Sequence, residues 1–193
     1  IHNAARLIFG IELLAPRHAT DPFLGQGTLA VTEIESEAAS RNAVPDCCNF
    51  YIDRRLTLGE TERKAVAEIQ NIINTVEMDA QVEVTQYRAT SYTGHECQSR
   101  NAFPAWVMPE DHPLVRATVR SVRETLGYRP RLGRWPFGTD GSYTAGIANI
   151  PTVGFGPGEE RYAHTLEEQI RLNDVVDAAR VFSRIAVELL GSR

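Results

Sequence analysis

Thr28-Leu29-Ala30-Val31-Thr32-Glu33-Ile34-Glu35 and Cys48-Asn49-Phe50-Tyr51-Ile52-Asp53 decide the fold of the first half of this chain. Leu29 and Val31 alternate with their neighbours, and Cys48, Phe50 and Ile52 alternate with Asn49, Tyr51 and Asp53. That period of two marks a strand with one buried face. Asn42-Ala43-Val44-Pro45-Asp46 lies between the two runs and reads as a turn. Upstream, Ala4, Leu7, Ile8, Ile11 and Leu14 recur at helical spacing over residues 3–15, and Pro16 stops the pattern. Downstream, Thr61 can cap a helix whose stripe is Val66, Ile69, Ile73 and Val76. Val82 and Val84 then alternate with Gln81, Glu83 and Thr85 in a third strand. The result is an α-β-β-α-β unit over residues 1–90, most simply packed as two helices on one face of a small antiparallel sheet.

The second half reads differently. Residues 91–111 show no period. A helix follows over 112–126, with Val115, Val119, Val122 and Leu126 on one face and Gly127 as its stop. An aromatic strand around Arg134-Trp135-Pro136-Phe137 leads into the tight turn Gly138-Thr139-Asp140-Gly141. The run Pro151-Thr152-Val153-Gly154-Phe155-Gly156-Pro157-Gly158 reads as a short apolar strand entering a Gly/Pro loop. Asn173 or Asp174 opens a last helix, with Val175, Ala179, Phe182, Ile185 and Leu189 expected inward. Two strands cannot make an independent sheet, so this half suggests partners in sequence elsewhere. The start at Ile1-His2-Asn3, with no initiator Met and a helix almost at once, also suggests missing sequence upstream, or else a processed terminus.

Composition narrows the function classes. The 193 residues are 42% hydrophobic and 23% charged, with a net charge of -5. A nucleic-acid binder needs a basic footprint, which this balance disfavours. No apolar run approaches the roughly 20 residues of a membrane span. Three cysteines, with Cys47 and Cys48 adjacent, make no disulfide framework. A reduced, cytoplasmic setting is expected.

The candidate chemistry centres on His164, which follows a strand and a Gly/Pro loop. Such loops place polar side chains at the carboxyl edge of an α/β sheet, where an imidazole can ligate zinc or move protons. The plainer reading is a surface or capping histidine. Gly138-Thr139-Asp140-Gly141 could hold a substrate carboxylate or be a plain turn. Gly141-Ser142 is not the nucleophile elbow of a serine hydrolase. Asp53-Arg54-Arg55 ends the second strand, where an arginine could grip a carboxylate at two points or simply be solvated. Glu159-Glu160 and Glu167-Glu168 read as solvated surface, and His95-Glu96-Cys97 as peripheral.

Taken in order, these motifs resemble a known family. Asn42-Ala43-Val44-Pro45, Ile52-Asp53 with Arg55, Gly138-Thr139-Asp140-Gly141, Gly154-Phe155-Gly156-Pro157-Gly158 and Ala163-His164-Thr165 with Glu167 are similar to motifs of the zinc-dependent aminoacylase, acetylornithine deacetylase and succinyl-diaminopimelate desuccinylase metallopeptidases. The run from Asp53 to Thr61 is closest to the branch of selenium-metabolism hydrolases. The resemblance implies an α/β protein: a small α+β two-layer lid, or peptidase dimerisation domain, over residues 1–92 without its first strand. The C-terminal segment of a zinc-exopeptidase-like catalytic domain would follow over 93–193. It implies His164 as the last ligand of a two-zinc site, with cobalt or manganese as alternative metals. Asn42, Arg55, Thr139, Asp140 and Gly141 would bind substrate. The reaction implied is metal-assisted hydrolysis of an N-acyl amino acid or small peptide, in a homodimer joined through the lid. The general base and the other ligands are expected upstream of Ile1, so the chain alone is expected to be inactive. The rival expectation is a non-catalytic homodimerisation module.

Overall fold

The computed structural model describes residues 1–135 and 137–191; Pro136, part of the expected aromatic strand, lies outside them. The chain divides into two compact units, Ile1–Ala105 and Trp106–Arg193.

The first unit opens with helix α1 (His2–Glu12), which presents Ala4, Leu7 and Ile11 inward. A single 3-10 turn, Ala15–Arg17, carries Pro16 at its start. A two-residue ladder, β1 (Thr20–Asp21) with β2 (Gly25–Gln26), leads to β3 (Thr28–Glu35). Strand β3 pairs antiparallel with β4 (Asn49–Arg55), with Leu29 opposite Arg54, Val31 opposite Ile52 and a register shift between Val31 and Glu33. Both strands match the alternation read from sequence. Helix α2 (Glu62–Thr75) starts where expected, because the Thr61 hydroxyl accepts a bond from the Lys64 amide at 3.2 Å. Leu7, Ile11, Ile69 and Ile73 form the core, with Leu29, Phe50, Ile52 and Val82 packed against it. The two helices therefore back the β3–β4 ladder, as two amphipathic stripes and one half-apolar sheet face require.

Two expectations fail here. Val82 reaches the core, but 81–85 joins no ladder among the described residues. Alternation selects which side chains point inward; a strand also needs a neighbour to take its backbone bonds. Conversely, β5 (Gln86–Thr90) pairs with β6 (Glu96–Arg100), and β6 lies in the stretch 91–111 that shows no period. All five residues of β6 are exposed, so there is no apolar alternation to find. The hairpin lies wholly within the first compact unit, which runs to Ala105.

The second unit packs helix α3 (Pro113–Leu126) against α5 (Leu172–Leu190), with the short α4 (Gly141–Thr144) between them in the chain. His112 caps α3 through Nδ1, which accepts from the Leu114 amide, and Gly127 ends it at φ 77°. Val115, Val122, Ala178 and Val181 are buried, while Arg184 pairs with Glu124 and Arg120 with Glu188. The buried face of α5 runs through Ala178 and Val181, not through Val175, Phe182 and Leu189, which are more than 40% exposed. Helix α5 is apolar over more than one stripe, and contact with α3 selects among them. The apolar run 151–156 makes no ladder among the described residues. No helix of the described residues is long and apolar enough to cross a membrane.

Candidate functional site

The first unit holds Asn42 and Arg55. Asn42 is exposed in the connection between β3 and β4. Arg55 is the last residue of β4, opposite Thr28, at the other end of the ladder. Successive strand residues point to opposite faces, and the consecutive arginines obey this rule. Arg54 turns inward at 11% side-chain exposure and Arg55 turns outward at 53%.

Arg55 is already engaged. Its Nε donates to both Asp53 carboxylate oxygens at 2.9 and 3.1 Å, and its Nη2 donates to Oδ2 at 2.9 Å. Those hydrogen bonds, and then the opposite charge of Asp53, raise the Arg55 pKa above its ordinary value. A carboxylate ligand would meet a two-point fork of the right shape, shared with Asp53.

Arg54 makes the stronger structural tie. Its Nη2 donates to Glu60 Oε1 at 2.5 Å, and its Nη1 donates to the carbonyls of Arg55 at 2.8 Å and Thr28 at 3.3 Å. Glu60 also accepts from the Thr57 amide at 3.0 Å, and the Thr57 hydroxyl donates to the Gly25 carbonyl at 2.8 Å. Burial pushes the Glu60 carboxyl upward; the Thr57 amide and the Arg54 charge and hydrogen bond outweigh it and hold the group below its ordinary 4.5. This network closes the end of β4 that carries Arg55. Sequence reasoning passes over Glu60, because nothing in the run 53–61 distinguishes a buried carboxylate from a solvated one.

The second unit holds the remaining candidates. The Thr139 hydroxyl accepts from the Gly141 amide at 3.3 Å, and the backbone carbonyls of Thr139 and Asp140 accept from Ser142 and Tyr143 at 2.9 and 3.0 Å. The turn thus starts α4. Gly141 is backed by the Trp106 ring, which a Cβ there would strike. Ser142 is buried.

His164 lies on the loop 159–171 with φ 62°, a left-handed conformation uncommon outside glycine. Glu159, at the start of that loop, forms surface ion pairs with Arg161 at 2.6 Å and with Arg171 at 3.2 Å. The turn itself is held by the Thr165 hydroxyl, which donates to the Tyr162 carbonyl at 2.8 Å. Glu159 and Glu160 are both exposed, as the reading of a solvated pair expects. His164 is exposed and meets the Phe137 ring edge to face at 5.4 Å between centroids. Among the described residues, no group of three or more His, Cys, Asp or Glu side chains could hold a metal ion. His164 offers one donor, and a resident catalytic zinc needs three protein ligands. The donor set present does not by itself fit that metal.

The chain thus combines a helix-backed antiparallel ladder in the first unit with a second unit of helices carrying an exposed loop histidine. Among solved structures, the chain is similar to aminopeptidase PepT from Bacillus cereus, with TM-score 0.59 and 22% identity over 96% of this chain and 44% of that one. It is likewise similar in fold to the di-peptidase Dug1p from Saccharomyces cerevisiae, with TM-score 0.59 and 11% identity over 94% and 36%. Residues 9–188 match peptidase family M20/M25/M40, and the chain belongs to that family. It is 37% identical to the uncharacterized protein YgeY of Escherichia coli (strain K12), over 94% of this chain and 45% of the relative. It is 25% identical to the N-formyl-4-amino-5-aminomethyl-2-methylpyrimidine deformylase of Bacillus subtilis, over 94% and 44%. The chain spans about half the length of these curated relatives.

Proposed function

We propose that this chain is part of a hydrolase that cleaves the amide bond of an N-acyl amino acid or small peptide at a two-zinc centre. In this reading residues 1–92 are the lid, which pairs with a second copy of the chain. Residues 93–193 are the C-terminal part of the catalytic domain. His164 supplies one metal ligand, and Asn42, Arg55, Thr139, Asp140 and Gly141 meet the substrate. The setting is cytoplasmic. The isolated chain is inactive.

What carries the reading is His164: an exposed imidazole in a left-handed turn, within the stretch that matches a peptidase family. The Bacillus subtilis relative is named for removing a formyl group from nitrogen, which is the same class of bond cleavage. Because one imidazole does not complete a zinc site, no step of the reaction can be assigned to these residues alone.

The test is zinc content after loading and exhaustive dialysis, beside His164→Ala. The expected result is no retained zinc and no hydrolysis of N-acetyl amino acids. One or two retained ions that leave with His164→Ala would overturn the reading of an incomplete site. In the full-length enzyme Arg55→Ala is expected to raise KM; unchanged kinetics with weakened dimerisation would favour a non-catalytic dimerisation module.

A further inference from the structure

His164 has its backbone fixed by the turn, yet no hydrogen bond to its ring nitrogens is found among the described residues. Among the described residues, the ring contact that His164 makes is with an aromatic neighbour of the second unit. Phe137 meets the imidazole at an interplanar angle of 80°. Phe137 is itself stacked on Trp135, with ring centroids 6.1 Å apart and planes 12° from parallel. Trp135 lies on Gly154, so closely that a Cβ at Gly154 would enter the indole ring. The next residue, Phe155, packs edge to face on Phe182 of α5 at 5.5 Å. A row of aromatic contacts therefore runs from the exposed imidazole back to the Gly154-Phe155 backbone, and that backbone is anchored on a helix.

We propose that Phe137 is the positioning residue for His164: stacked on Trp135 and seated through it on Gly154, it holds the imidazole in one rotamer and leaves both ring nitrogens open. The inference rests on the reading of His164 as the functional imidazole of this loop. The chemistry favours an aromatic ring in this role. A hydrogen-bonding partner would orient the ring too, but it would occupy a nitrogen. An edge-to-face contact orients it through the ring quadrupole and leaves both nitrogens available. Glycine at 154 follows from the same arrangement, since any side chain there would displace Trp135 and with it the stack. An aromatic pair of this kind biases the rotamer population by a few-fold to about tenfold.

The test is nuclear magnetic resonance of the 193-residue chain, comparing wild type with Phe137→Leu, Phe137→Tyr and Trp135→Phe. Three-bond couplings across the His164 Cα–Cβ bond report the rotamer, and cross-relaxation between rings 137 and 164 reports the contact. The expected result is one dominant rotamer in wild type, averaged couplings in Phe137→Leu, and recovery in Phe137→Tyr, with Leu and Tyr variants melting alike. Averaged couplings in wild type, or a locked rotamer in Phe137→Leu, would overturn the proposal. Should Phe137→Leu fail to fold, the wild-type couplings and the Tyr and Trp135→Phe variants still decide it. Zinc added to the same samples separates the two readings. A zinc-dependent shift of the His164 resonances, several-fold weaker in Phe137→Leu, supports both. A locked rotamer with no zinc response removes the ligand reading and leaves the positioning intact.

Discussion

Replacing Glu60 by Gln removes one charge and almost no volume from the end of β4. The Glu60 side chain is 1% exposed and its partner Arg54 is 11% exposed, so the substitution strands a buried guanidinium. Breaking a buried pair from one side costs about 3–5 kcal/mol. Here Arg54 keeps the carbonyls of Arg55 and Thr28, and Glu68 stands 3.8 Å away. The cost therefore falls at or just below the lower end, about 2–3 kcal/mol. With a urea slope of about 2 kcal/mol/M, the midpoint of the first unit should drop by about 1–1.5 M. The double variant Glu60→Gln/Arg54→Met should lose less than the sum of the single changes, because the unpaired charge goes with the arginine. The pH dependence has a definite sign. The folded carboxyl is held below 4.5, so its contribution is complete above that value and is lost as pH falls towards the folded pKa. In Glu60→Gln this part of the acid-side loss should vanish. A midpoint within about 0.2 M of wild type, together with an unchanged acid profile, would refute the assignment of this pair as the clasp of β4.

Two further outcomes follow from the same structure. Gly154→Ala should drive a methyl group into the Trp135 ring, destabilise the second unit by about 1–3 kcal/mol and shift the indole emission; an unchanged melt and spectrum would contradict the stack. Thr61→Ala should cost about 1 kcal/mol through loss of the cap on α2, read as a lower urea midpoint, and Thr61→Asn should restore it.

Much of the first unit is legible in the amino-acid sequence. The alternation in β3 and β4, the Thr61 cap and the stripes of α1 and α2 are local signals, and each element forms where they point. The opposite facing of Arg54 and Arg55 follows from strand geometry alone. The candidate site is less legible. His164 stands out as a residue type at the end of a Gly/Pro run, but its left-handed turn does not. Asn42 and Arg55 can be named together, yet they stand at the two ends of one hairpin segment. The part Asp53 plays depends on its carboxylate lying against the Arg55 guanidinium, a contact between side chains that no local pattern encodes.

The amino-acid sequence by itself determined the periodicities, the caps and the order of motifs, because each depends on neighbours within a few residues. Tertiary structure decided what those patterns could not contain. It chose which apolar stripe of α5 is buried, because helix packing selects among several. Among the described residues it left 81–85 without a ladder, because backbone pairing needs a second strand that no pattern within the segment can supply. It also set Trp135, Phe137 and His164 in one row, because the bare backbone of Gly154 lets an indole ring lie directly on it.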